Sequence, residues 1–459
     1  MSNVDAALAI ARRDRKASLR ELMEELRIPS ISTLPEHRED CRRNARWLME
    51  RFETLGFETQ LVDVIDGGHP VLRADWIKHD GAPVLTIYGH YDVQPPDPLD
   101  QWDSAPFEPV MTGDSVIARG CSDNKGNHLA ALRAAAAWMA VGGPPCNVRF
   151  LIEGEEEIGG ESLPIYVKQN ADDLETGCVV LWDGGFSSDE RPSLCVGLRG
   201  LLYVEITAIG AKSDLHSGGF GGVAPNACDA LASILASLHD GSRRVTVPGF
   251  YDDVRPPDAL EQARWHRDPD GERRFKMLMG VHTLVGETDY TLEERLWTRP
   301  TLEVNGFIGG FTGPGAKTVI PSRASSKVSM RLVPDQDPGV IAAALNNHLA
   351  DNASDAVSVS CEILTSSPPV LLGASHPPAR AALAAWEEAM GRPAVLVRSG
   401  GSIPVATAFA DAIGAPMIIS GVSSKDSGAH APNEKLRLAN YYGGIDMMVL
   451  FMQGFADAT

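Results

Sequence analysis

The chain has 459 residues, 44% of them hydrophobic and 22% charged, with a formal net charge of −20. That length exceeds what one growing hydrophobic core serves, so two domains are expected. The composition is that of a soluble globular protein, and the acidity argues against nucleic acid or an anionic membrane as a partner.

Residues 1–15 mix charges with alanine and lack an apolar core, so no secretory leader is expected. Residues 5–28 and 39–55 read as amphipathic helices. Strand-like runs follow at 58–64, 71–76 and 84–88, then a small-residue helix at 126–140 and strands at 147–153 and 177–182. Strands alternating with helices predict an α/β domain, a mostly parallel sheet flanked by helices.

The pattern changes after about Gly197. A long alternating strand at 200–209 precedes a helix at 226–239, an irregular region at 248–300, strands at 301–305 and 326–332, a helix at 339–349 and a strand at 356–364. This predicts an inserted α+β unit over 199–369, and the α/β pattern resumes over 370–459. The closing elements are a helix at 377–390, a strand at 394–397, a helix at 404–413, a strand at 416–419 and a helix from about 439. No run of about 18 apolar residues offers a transmembrane helix. Seven scattered cysteines without a Cys-x-x-Cys pair suit a reducing cytoplasm.

The chemistry concentrates just past the strand ends. His90 follows the strand at 84–88, Glu156 and Glu157 follow the strand at 147–153, and Asp183 follows the strand at 177–182. Open α/β sheets place ligands at the carboxyl ends of their strands. Carboxylates this dense repel unless a cation holds them, and His, Asp and Glu together suit a borderline divalent metal. Asp92, two residues after His90, is a candidate to orient that imidazole. Asp123 is either the N-cap of the following helix or a bridging ligand. The triplet Glu155-Glu156-Glu157 is either a solvated loop or a ligand carrier, and the glycines after it favour the second. Two divalent ions would take Asp123, Glu157, Asp183 and two imidazoles, leaving Glu156 to accept a proton from water.

Eight ordered motifs then carry a resemblance over nearly the whole chain. They are Gly89-His90-Tyr91-Asp92-Val93-Gln94-Pro95, Gly120-Cys121-Ser122-Asp123-Asn124-Lys125-Gly126, Glu153-Gly154-Glu155-Glu156-Glu157-Ile158-Gly159 and Asp214-Leu215-His216-Ser217-Gly218-Gly219. The rest are Gly315-Ala316-Lys317-Thr318-Val319-Ile320-Pro321, Met330-Arg331-Leu332-Val333-Pro334, Gly400-Gly401-Ser402-Ile403-Pro404, and Gly428-Ala429-His430 before Asn433-Glu434. The chain resembles the dinuclear metallopeptidase family of cytosolic non-specific dipeptidase and carnosinase, with acetylornithine deacetylase, succinyl-diaminopimelate desuccinylase, aminoacylase and carboxypeptidase G as relatives.

That resemblance implies a metal-binding catalytic domain, 1–198 plus 370–459, and an inserted lid and dimerisation domain, 199–369. It implies two divalent ions, zinc first, with manganese or cobalt as alternatives. His90, Asp123 and Glu157 would hold one side, with Asp123 bridging to a second ion completed by Asp183 and His430. Glu156 would be the general base, Asp92 the orienting residue, and the peptide bond after Asp123 cis. His216, Thr318, Arg331 and Ser402 would bind substrate, with His216 and Thr318 crossing into a neighbouring subunit and His216 steadying the oxyanion. A homodimer through the inserted domain and a closing motion follow. The implied reaction is amide hydrolysis of dipeptides or short peptides, and the alternative is an N-acyl or N-carbamoyl amino acid amidohydrolase with the same site. His128 and His282 match no motif and are expected to be structural, and Cys121 is expected to be a packed side chain.

Overall fold

The computed structural model describes residues 2–187, 191–265, 270–400 and 404–458. At its centre Asn147–Glu153, Val84–His90, Cys178–Trp182 and Met417–Ser420 lie side by side and run parallel within a nine-stranded sheet. Antiparallel neighbours extend it: Val71–Trp76 and Glu58–Val62 on one side, Ser193–Leu198 and Val370–Leu371 on the other. Val395–Ser399 joins Ser193–Leu198 in parallel. Every residue of Asn147–Glu153 and of Cys178–Trp182 is buried. Burial at every position is what a sheet covered on both faces produces.

The helix Lys125–Met139 packs between that sheet and the long C-terminal helix Leu438–Ala458, and Trp138 Nε1 donates to the Val449 carbonyl at 3.1 Å. Small residues allow this close fit. A Cβ on Gly126 would stand 2.2 Å from the Cys121 carbonyl oxygen. Buried Lys125 donates from Nζ to the Ile28 carbonyl at 2.7 Å and the Glu25 carbonyl at 3.2 Å, satisfying groups at the end of the helix Arg15–Glu25.

The chain leaves the large sheet after Leu198 and re-enters it at Val370. Between these points Thr301–Gly309, Arg323–Leu332, Gly200–Ile209 and Ser358–Ser367 form an antiparallel sheet in that order. Leu202, Val204, Ile206, Val328 and Met330 pack on its inner face against Leu231 of Ala227–Ser237 and Leu345 of Pro338–Asn352.

Three differences from the sequence expectation have physical causes. The helix expected at 5–28 is two, Asn3–Arg13 and Arg15–Glu25, because Asp14 adopts a non-helical ψ of 11°. The region 248–300 contains the short helices Ala259–Arg264, Gly271–Met279 and Leu292–Trp297, each too brief to show a clear period. Trp265 and Trp297 meet edge-on at 5.6 Å and join the core of the large sheet, beside a buried two-point ion pair from Glu261 to Arg398 at 2.5 and 2.8 Å. The strand Ser193–Leu198 is buried at every position, so no alternation marks it in the sequence. Among the described residues no helix is long and apolar enough to cross a membrane.

Candidate metal centre

His90 is the last residue of the central strand Val84–His90, Glu156 and Glu157 form the short turn after Asn147–Glu153, and Asp183 follows Cys178–Trp182. Three adjacent parallel strands thus deliver their chemistry to one edge. Asp123 arrives from the loop before Lys125–Met139, and His430 from the loop before Lys435–Arg437. The Asp123–Asn124 peptide bond is cis.

The Asp123 carboxylate lies at the centre. Its Oδ1 is 3.1 Å from His90 Nε2, and its Oδ2 is 3.1 Å from His430 Nε2. On the first side Asp183 Oδ1 stands 3.7 Å from His90 Nε2, and on the second Glu157 Oε2 stands 3.1 Å from His430 Nε2. His90, Asp123 and Asp183 therefore form one group, and Asp123, Glu157 and His430 another, each with ligand atoms within 4.8 Å of one another. The grouping differs from the partition that the resemblance implied, in which the individual assignments were open. His90 belongs with Asp183, and Glu157 with His430.

The electrostatics suit a cation. Burial opposes a charged imidazole at His90, yet its bonds to Asp123, Asp183 and Asp92 outweigh that and push its pKa well up. Bonds to Asp123 and Glu157 raise His430 to about 10. Burial acts against the Asp123 carboxylate, but the two imidazoles hold it below its ordinary range. Buried Glu157 Oε1 has no hydrogen-bond partner among the described residues. An acidic cluster that draws protons onto its histidines and leaves a carboxylate oxygen unmatched has the donor set and charge of a divalent-metal site.

Glu156 stands apart. It borders a small cavity with Tyr88 and Glu153, and no hydrogen bond from a described residue reaches its carboxylate. Burial, with Asp183, Glu157 and Asp123 nearby, pushes its pKa up to about 8. Asp92 is fully buried between two partners. Its Oδ1 is 3.3 Å from His90 Nδ1, and its Oδ2 accepts the Glu157 N–H at 3.1 Å. The His90 Nδ1 also lies 3.1 Å from the Asp92 carbonyl, so its Nε2 is the nitrogen turned to the acidic cluster.

The other expected residues are spread more widely. His216 and Thr318 meet on one exposed ribbon, where His216 pairs with Val319 and Ser217 N–H donates to the Thr318 carbonyl at 3.1 Å. Neither has a described contact with the acidic cluster. Arg331 is half-buried on Arg323–Leu332. Ser402 lies outside the described residues. His128 is a brace, with Nδ1 3.0 Å from the His90 carbonyl and Nε2 2.8 Å from Glu25 Oε1, while His282 is exposed. Cys121 is fully buried, and burial pushes its thiol far up, which leaves it inert.

Sequence reasoning assigned no role to three supporting residues. Gln94 donates to Glu157 Oε2 at 2.9 Å, and Asn124 donates to Asp183 Oδ1 at 2.6 Å. Glu434 fastens the loop that carries Asp123, accepting from the N–H groups of Gly120, Ser122 and Asp123. All three lie inside the motifs that carried the resemblance, and that was the available signal. Glu155, by contrast, turns away to accept from His69 N–H at 2.7 Å and Ser162 N–H at 3.1 Å.

Comparisons with known proteins show the family. The profile of "Peptidase family M20/M25/M40" matches residues 86–454. The Beta-Ala-His dipeptidase of Rattus norvegicus is 29% identical over 440 residues, covering 92% of this chain and 89% of that protein. The Cys-Gly metallodipeptidase DUG1 of Saccharomyces cerevisiae is 28% identical over 458 residues, covering 95% of each. The crystal structure of the M20 family metallo-carboxypeptidase Sso-CP2 from Sulfolobus solfataricus superposes with a TM-score of 0.80 at 33% identity, covering 96% of this chain and 99% of that one. With a profile match across most of its length and a shared fold throughout, this chain belongs to peptidase family M20/M25/M40.

Proposed function

We propose that the protein is a dinuclear metallodipeptidase, with His90, Asp123 and Asp183 holding one divalent ion and Asp123, Glu157 and His430 the other. The observation that carries this reading is the single carboxylate of Asp123, whose two oxygens face two histidines at 3.1 Å each. Mixed nitrogen and oxygen donors suit zinc, with manganese or cobalt as substitutes. Such ions, when bound, polarise a carbonyl and lower the pKa of water. Glu156 then accepts the proton of the attacking water and passes it to the leaving amine. Asp92 holds the His90 tautomer, and Arg331 forks onto the carboxylate end of the substrate, with Ser402 as a further contact.

His216 and Thr318 act on the neighbouring subunit of a homodimer formed by an inserted domain, 199–369, and His216 supports the oxyanion. Support comes from their exposed ribbon and from exposed Phe220, Val223, Phe307, Ile308 and Phe311 on the same unit. Several exposed large apolar side chains on one unit suit an interface. The remaining segments, 1–198 and 370–459, form the metal-binding domain. Seven unpaired cysteines favour a reducing cytoplasm.

The relatives' names favour dipeptides over acylated amino acids. The test is hydrolysis by the metal-reconstituted protein of free dipeptides, tripeptides, N-acetylated dipeptides and N-acyl or N-carbamoyl amino acids. Free dipeptides are expected to turn over fastest. Preference for N-acyl or N-carbamoyl amino acids would replace this reading with the amidohydrolase one.

A further inference from the structure

Arg199 is the single residue between Ser193–Leu198 of the large sheet and Gly200–Ile209 of the inserted sheet. Its N–H donates to the Ser399 carbonyl at 3.1 Å, which ties it to the start of the Gly400–Pro404 run. A Cβ on Gly400 would stand 2.8 Å from Arg199 Nη2, so the guanidinium lies against this glycine.

Strand register places two further polar groups beside it. Arg331 pairs with Leu201 on one side, and Ser367 pairs with Leu201 on the other. Cross-strand partners share a face, so Leu201, Arg331 and Ser367 project from one side of the sheet, and Arg199, two residues before Leu201, is near enough to Arg331 to feel its charge. The inserted core takes Leu202, Val204 and Ile206, so this is the opposite face.

Among the described residues the two arginines lack the carboxylate partner that each buried arginine has. Buried Arg119, Arg149 and Arg398 each meet a carboxylate, from Glu434, Asp75 and Glu261. Neither Arg199 nor Arg331 forms an ion pair among the described residues. Arg199 Nε and Nη1 are shielded from solvent without a hydrogen-bond partner among the described residues, and so is the Ser367 hydroxyl. Burial, and then repulsion from Arg331, draw the Arg199 guanidinium down to about 10. A shielded guanidinium with unmatched donors beside a second one is costly unless an anion completes it.

We propose that Arg199 is a second carboxylate-recognition residue, forming with Arg331 and Ser367 a doubly cationic subsite for the carboxylate-bearing end of the substrate. This rests on the dipeptidase reading above. A carboxylate is the anion that planar guanidinium forks match, and the C-terminal residue of a peptide offers its α-carboxylate and, in Asp or Glu, a second one.

The test uses the metal-loaded full chain with Ala-Ala, its C-terminal amide, Ala-Glu and Ala-Gln. Arg199→Gln is expected to raise KM for free dipeptides by about tenfold or more, the loss of a charged hydrogen bond, with a much smaller change in kcat. It is also expected to shrink a selectivity ratio. Reduction of the Ala-Ala to amide ratio identifies the α-carboxylate as the ligand, and reduction of the Ala-Glu to Ala-Gln ratio identifies the side-chain carboxylate. Arg199→Lys should recover part of the effect, and it serves as the test variant if Arg199→Gln fails to fold. Unchanged ratios at an unchanged melting temperature would overturn the proposal, as would a uniform loss on all four substrates that tracks a lowered melting temperature. If the wild type cleaves no dipeptide but cleaves N-acetylalanine, the dipeptidase reading fails separately, and N-acetylalanine against its amide then tests Arg199.

Discussion

The Glu434 carboxylate accepts the Asp123 N–H at 3.0 Å with Oε1, which also takes the Ser122 N–H at 2.8 Å. Its Oε2 takes the Gly120 N–H at 2.8 Å and Arg119 Nη1 at 2.7 Å. Glu434 is fully buried and lies four positions after His430, so one side chain joins the loops that bring both groups of the centre together. A glutamine there keeps the volume but turns an NH2 toward backbone donors, leaving them unmatched. Glu434→Gln is expected to weaken metal binding by about 10–100-fold, the usual effect of losing an outer-shell support. Competition with a chromophoric chelator measures this, and wild-type affinity in the variant would deny Glu434 that role.

Glu156 borders the acidic cluster without joining either metal group, and no hydrogen bond from a described residue reaches its carboxylate. Glu156→Gln should lower kcat by about 10²–10⁴-fold, the range for removal of a general base, while both ions stay bound. The paired measurements are turnover and metal content by mass spectrometry. A near-normal kcat would remove Glu156 from the chemistry, and a parallel loss of metal would make it a ligand instead.

Metal affinity should rise with pH. His430 is raised to about 10 and His90 is raised above its ordinary value, so the acidic cluster holds protons on these imidazoles more tightly than on a free histidine. An incoming ion displaces those protons, so affinity gains about tenfold per pH unit for each proton released, until the imidazoles are neutral. Calorimetric titrations at pH 6, 7 and 8 in buffers of different ionisation enthalpy count the protons. An affinity independent of pH, with no proton release, would contradict the assignment of these histidines.

Subunit exchange tests the placement of His216. His216→Ala and Glu156→Gln homodimers should each be nearly inactive. After mixing and exchange, hybrids contain one site with both groups intact, and activity should return. If hybrids form by native mass spectrometry and stay inactive, His216 serves its own subunit.

Much of the fold is legible without coordinates where burial leaves a simple signature. The strands Val71–Trp76, Asn147–Glu153 and Gly200–Ile209 stand where their apolar patterns put them, and the expected helix at 377–390 is Pro377–Met390. Ser193–Leu198 escaped notice because a strand covered on both faces has no alternation. The ribbon of Leu215–His216 with Val319–Ile320 escaped because two residues on each side are too few to show a pattern. Glu434 escaped a role because a carboxylate near a histidine in sequence reads first as another ligand, and its backbone partners belong to a loop some 310 positions earlier.

The sequence by itself determined the chemical kind of the candidates, because His90, Glu157 and Asp183 stand just past strand ends where like charges need a counter-ion, while Asp123 and His430 entered through the family motifs. It could not decide which of them stand together in one group. That follows from lateral strand order, in which Val84–His90 lies between Asn147–Glu153 and Cys178–Trp182, and from the loop anchored by Glu434 that carries Asp123 to the middle. Neighbours across a sheet are chosen by packing over the whole domain, and chain order holds no record of that choice.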